Sequence, residues 1–149
     1  MRRRTFMLAV SGAASTAIWT ARAADASQQV FDLFAKIASA LSDDDPAMFI
    51  EAVDPDMPNF QDFRRDLVAL TDVAAVTNSI EILSDTGDDT HRADELDWFL
   101  EIVGNSEPHP VERRRDVVKF RLERKGKKGK TWKIVSIDPL HFFAPPKIT

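Results

Sequence analysis

Residues 132–139 read Trp-Lys-Ile-Val-Ser-Ile-Asp-Pro. Trp132, Ile134, Val135 and Ile137 give it the aromatic and β-branched composition of a strand, and Asp138-Pro139 then ends it. The stretch Lys125-Gly-Lys-Lys-Gly-Lys130 just before it has the composition of a hairpin loop, so the strand's neighbour lies upstream. That neighbour is an alternating segment from Glu112 to Arg124. Before it, His91 to Val103 reads as a long strand broken by Gly104 and the Pro108/Pro110 loop. Val76 to Leu83 reads as the first strand, and residues 84–89 as a turn in which Gly87 is free to take positive φ.

Further upstream the period changes from two to 3.6. Val30, Phe31, Phe34, Ile37, Ala38 and Leu41 fall on one face of a helix over 27–41, which stops at Ser42-Asp43-Asp44. Asp45-Pro46 reads as the N-cap and first residue of a second helix that turns Met48, Phe49, Ala52 and Val53 inward before Asp54-Pro55 ends it. After a loop to Pro58, Asn59 is placed to cap a third helix with the stripe Phe60, Phe63, Leu67 and Leu70. Helices first and an antiparallel meander second predict an α+β domain, not alternating βαβ units.

This order, the Asp45-Pro46 start of the second helix, the Asp54-Pro55-Asp56 exit and the closing Trp132–Pro139 strand resemble the nuclear transport factor two-like superfamily. That superfamily includes ketosteroid isomerases and polyketide cyclases. The resemblance covers residues 27–140 and implies three helices packed into a strongly curved, mainly antiparallel sheet, a cone with a pocket at its open end. It also implies a homodimer through the outer sheet face. The fold hosts enzymes and non-enzymes alike, so activity has to be read from residues.

The isomerase arrangement uses a carboxylate base with a Tyr hydroxyl and a protonated Asp, and this chain has no Tyr. A second arrangement in the superfamily, that of epoxide hydrolases, places Arg and Asp two apart on one strand with an Asp on another. Arg114 and Asp116 have that spacing and share a strand face, and Asp138 can supply the second carboxylate. Arg92 and Asp94 repeat the same spacing. Trp98, Phe99 and Phe63 are the aromatic candidates for a pocket lining, with Trp98 and Phe99 necessarily on opposite faces. His91, His109 and His141 have no metal-ligand spacing, and there is no phosphate loop or nucleophile elbow, so neither a metal nor a cofactor is expected. The apolar, proline-stiffened tail His141–Pro146 is expected to pack over the sheet or the cone mouth.

Residues 1–23 read as an address and not as part of the fold. Arg2, Arg3 and Arg4 precede a diluted apolar run from Phe6 to Trp19, about 14 residues and too short for a hydrocarbon core that takes roughly 20. Ala21-Arg22-Ala23 offers small residues where a signal peptidase reads. Arg3-Arg4-Thr5-Phe6-Met7 resembles the twin-arginine motif, implying a bacterial protein exported folded to the periplasm or beyond and cut after Ala23 or Ala26. Residues 24–149 then form one domain. Loss of four arginines and no acids takes the formal net charge from −4 to −8, which disfavours nucleic acid as a partner. No other stretch is long and apolar enough to cross a membrane, and the absence of Cys excludes disulfides.

The charge is segregated. Residues 43–101 hold 17 acids and three bases, whereas 112–133 hold 11 bases and three acids. Neighbouring strands of opposite sign are expected to pair across the exposed sheet face. The function expected is a non-catalytic domain that binds a small apolar molecule or serves as a self-associating accessory module. The alternative is a hydrolase, isomerase or dehydratase acting on a small apolar or cyclic substrate.

Overall fold

A computed structural model describes residues 25–147; the export signal proposed for residues 1–23 lies outside them. Helix α1 runs over residues 25–42, α2 over Pro46–Glu51 and α3 over Phe60–Val73. The strands are β1 Ala74–Gly87, β2 His91–Gly104, β3 Val111–Lys125 and β4 Thr131–Asp138, followed by a short 3-10 turn at Leu140–Phe143. They form one antiparallel sheet in the order β1-β2-β3-β4. The chain is thus an α+β fold, three helices laid into a meander.

Val30, Phe34, Ile37 and Leu41 of α1 are buried as their spacing requires, but Phe31 is 36% exposed and falls off the stripe. The Asp45 carboxylate accepts from the Met48 amide at 3.3 Å, capping α2 one residue before Pro46. The α2 exit is stitched to the last strand: the Ile134 amide donates to Ala52 O at 2.9 Å and the Asp54 amide to Ile134 O at 2.8 Å. Asn59 precedes α3 but does not cap it. Its backbone is left-handed (φ 62°), a conformation Asn tolerates, and its side chain makes no cap bond.

β1 is longer than its alternation suggested. It begins directly after α3 and carries a bulge between Ile82 and Ser84, with Leu83 unpaired. A bulge bends the sheet and reverses which face later residues occupy. A second irregularity lies between Arg121 and Leu122 of β3. The β1–β2 turn is fixed by Asp88, whose carboxylate accepts from the Thr90 and His91 amides at 2.8 Å each. Gly87 sits at φ +131° with His91 O only 2.1 Å from where a Cβ would be, so no other residue fits there unstrained.

The inner sheet face, the three helices and the tail close on one hydrophobic core. Trp98, Phe34, Phe49, Phe63, Phe120 and Phe143 are its largest fully buried side chains. Phe143 stands edge-on to Trp98 and Phe49, with centroids 5.2 Å from each, so a residue of the tail occupies the centre of the fold.

Candidate functional site

The structure does not assemble the first candidate triad. Asp116 is opposite the buried Trp98, on the inner-face side of β3, but its carboxylate is exposed and accepts from the adjacent Val117 amide at 2.8 Å. Asp138 pairs with Lys119, whose neighbour Phe120 pairs with buried Ile137, so Asp138 projects from the opposite face. Two carboxylates on opposite faces cannot share a substrate. Arg114 serves neither: it pairs with Glu112, and its Nη1 donates to Phe142 O at 2.8 Å and Ala144 O at 2.6 Å. It holds the tail.

Trp98 and Phe63 are 0% and 1% exposed, packed in the core and not lining an open pocket. Trp98 Nε1 donates to Asn78 Oδ1 at 3.1 Å, and Asn78 in turn donates to Ala38 O at 2.8 Å, which ties β2, β1 and α1 together. Phe99 lies on the outer face, in a shallow depression of about 300 Å³ with Ser79, Glu81 and Arg115. That face carries the expected cross-strand charges. Arg115 grips Asp97 with two bonds of 3.0 and 2.6 Å, Arg113 reaches Glu101 at 3.1 Å, and Lys119 lies 3.8 Å from Glu95. The hydrogen bonds from Arg115 hold the Asp97 carboxyl below the usual range.

The second Arg-x-Asp pair is the one the fold completes. Arg92 and Asp94 both point inward from β2, and the β1 bulge turns Asp85 in to meet them, directly across from Asp94. Arg92 binds Asp85 through Nε at 3.1 Å and Nη2 at 2.7 Å, and Ser27 Oγ of α1 donates to Asp85 at 2.6 Å. Arg92 also donates to Ser27 Oγ at 3.1 Å and to Asp88 O at 3.2 Å. Asp94 is 1% exposed, and neither of its oxygens has a donor among the described residues.

An ionised carboxylate left that way is costly, so Asp94 keeps its proton. Burial, then the neighbouring Asp85, pushes its pKa up to about 8. The retained hydroxyl lies beside the Asp85 carboxylate, the acceptor nearest to it in charge and position, and the other Asp94 oxygen stays without a donor among the described residues. Burial opposes ionisation of Asp85 as well. Hydrogen bonds from Arg92, Asp94 and Ser27 outweigh it and hold Asp85 below its ordinary value. The result is one proton between two carboxyls beside one guanidinium, an arrangement able to give and take a proton if a substrate reached it. The Arg92-x-Asp94 spacing was visible in the sequence; Asp85 was hidden in what read as a turn. Among the described residues no group of three side chains is disposed to hold a metal ion, and no helix is long and apolar enough to cross a membrane.

No family model matches the chain, and no curated protein is detectably similar to it in sequence. Solved structures share its fold. A protein from Planctomyces limnophilus superposes with a TM-score of 0.64 at 8% identity, over 72% of this chain and 89% of that one. A nuclear transport factor 2-like superfamily protein from Salmonella enterica serovar Typhimurium gives 0.60 at 9% identity, over 85% and 95%. The intermembrane space region of the chloroplast protein ARC6 gives 0.50 at 16% identity, over 74% and 93%. The chain therefore has a nuclear transport factor 2-like fold. At these identities the likeness defines architecture and assigns no activity.

Proposed function

We propose that this chain is an exported accessory domain that acts through its surfaces and turns over no substrate. The observation that carries the reading is the packed interior: six large rings, one supplied by the tail, are fully buried in a single core between the helices and the sheet. A pre-formed cavity is the usual requirement for a small-molecule site. The twin-arginine-like leader and self-association through the outer sheet face belong to the same proposal. Leu83, Val111 and Val117, at 49%, 52% and 40% exposure, lie on strands of that face around half-buried Phe99.

A panel of small apolar molecules tests it by thermal shift and tryptophan emission. The expected result is no saturable change. A saturable rise in Tm with altered Trp98 emission would place a ligand in the interior and overturn the reading. One observation favours hydrolysis as a second reading: the Asp85–Arg92–Asp94 cluster with its divided proton affinities. Turnover of a small epoxide that is lost in Asp94→Asn would establish that reading instead. The shut-off Asp94 oxygens weigh against it.

A further inference from the structure

The first turn of α1 is built into the interior. Ala26 and Val30, four residues apart on one helix face, are both 0% exposed and belong to the core. Between them, Ser27 Oγ donates to Asp85 Oδ2 at 2.6 Å and accepts from Arg92 Nη2 at 3.1 Å, which joins the turn to β1 and β2. The Asp85 and Arg92 side chains are themselves 9% and 5% exposed, so this is an interior joint and not a surface clasp. Two residues on, Gln29 Oε1 accepts from Trp132 Nε1 at 2.8 Å and ties the helix to β4 as well.

The two candidate processing sites stand differently towards this turn. Ala21-Arg22-Ala23 lies wholly before Asp25, the first described residue of α1, whereas Ala24-Asp25-Ala26 ends inside the helix. A peptidase takes its substrate as an extended segment, so cutting a helical bond requires the helix to open locally first. Opening here would expose Ala26 and Val30 and take the Ser27 hydroxyl away from Asp85 and Arg92, both left inside the fold. A cut after Ala26 would also delete that residue from the core and put a charged chain end on the residue that Asp85 and Arg92 hold.

We propose that the chain is processed after Ala23 and begins at Ala24, because the burial of Ala26 and the Ser27–Asp85–Arg92 joint withdraw the Ala26–Ser27 bond from the peptidase. The proposal rests on the reading of the chain as exported. That reading has the chain fold before it crosses, so the joint already exists when the leader is cut.

The test expresses the full chain in a bacterium with a twin-arginine exporter and reads the N-terminus of the periplasmic product by sequencing and intact mass. The expected start is Ala24. Ala23→Phe puts a bulky side chain where a small one is read and leaves Ala24-Asp25-Ala26 unchanged; it should accumulate uncut chain. A second measurement needs no export: purified chains beginning at Ala24 and at Ser27 are compared by thermal unfolding. The shorter chain should melt at least about 3 °C lower. A wild-type product that starts anywhere but Ala24, cutting of Ala23→Phe after Ala26, or equal melting of the two chains would each overturn the proposal and leave export standing. A wild-type chain that stays uncut in the cytoplasm would remove the export reading and the proposal with it.

Discussion

At the scale of single residues the chain concentrates its unusual chemistry in Asp94. Its neighbours are Asp85 of β1, Arg92 of its own strand and, through them, Ser27 of α1, so two acids face one guanidinium. Because its folded pKa is raised to about 8, the folded state holds a proton there that the unfolded chain releases near pH 4. Stability from Asp94 is thus full below that value and is lost as pH rises towards 8. Asp85, with its pKa lowered, has the opposite sign: its contribution is present above the ordinary carboxylate value and lost below it. Asp94→Asn replaces the hydroxyl donor by an amide N–H that does not titrate. Measured from pH 5 to 9, the wild-type Tm should fall relative to this variant, with a gap opening by about 4 °C or more at pH 9. Parallel curves would show that Asp94 does not hold its proton. Sequence alone gave the Arg92-x-Asp94 spacing but not the third member. Period-two reading from Val76 onward puts Asp85 on the outside, and only the bulge at Leu83 turns it in.

Elements differ in how far local pattern decides them. The stripe of α3 and the alternation of β2 were legible because burial on one face imposes the period directly, and Trp98 and Phe99 fell on opposite faces accordingly. The tail was legible as apolar, but its destination was not. That depends on Arg114, whose two carbonyl contacts convert a candidate catalytic group into a latch. Arg114→Met should leave the sheet intact while making the chain beyond Pro139 markedly more sensitive to limited proteolysis, read by mass spectrometry. Phe143→Ala removes the ring that touches Phe49, Phe63 and Trp98, and should cost about 3–5 kcal/mol by denaturant unfolding. A loss under 1 kcal/mol would mean that the core closes without the tail. At the β1–β2 turn, Gly87→Ala forces a Cβ onto His91 O, and a destabilisation of about 1–3 kcal/mol is expected from chemical denaturation.

For the molecule as a whole, charge segregation and a filled interior point in one direction. The acidic and basic runs end up on adjacent strands, where Arg113–Glu101 and Arg115–Asp97 neutralise each other on the outer face. Such exposed pairs, screened by water and salt, add little stability. Their effect is to leave a face that is charged at its ladder and apolar at Phe99, Leu83 and Val117. If two copies meet there, Phe99 is at the centre of the contact and the ion pairs form its rim, the arrangement in which a single aromatic dominates affinity. Phe99→Asp should then shift the mass seen by light scattering from dimer to monomer. It should leave monomer unfolding nearly unchanged, since Phe99 takes no part in the core. Arg115→Gln, which alters only the rim, should change the salt dependence of association more than its strength. A wild-type chain that is monomeric at high micromolar concentration, or a Phe99→Asp variant that remains dimeric, would remove the outer face as the site of self-association.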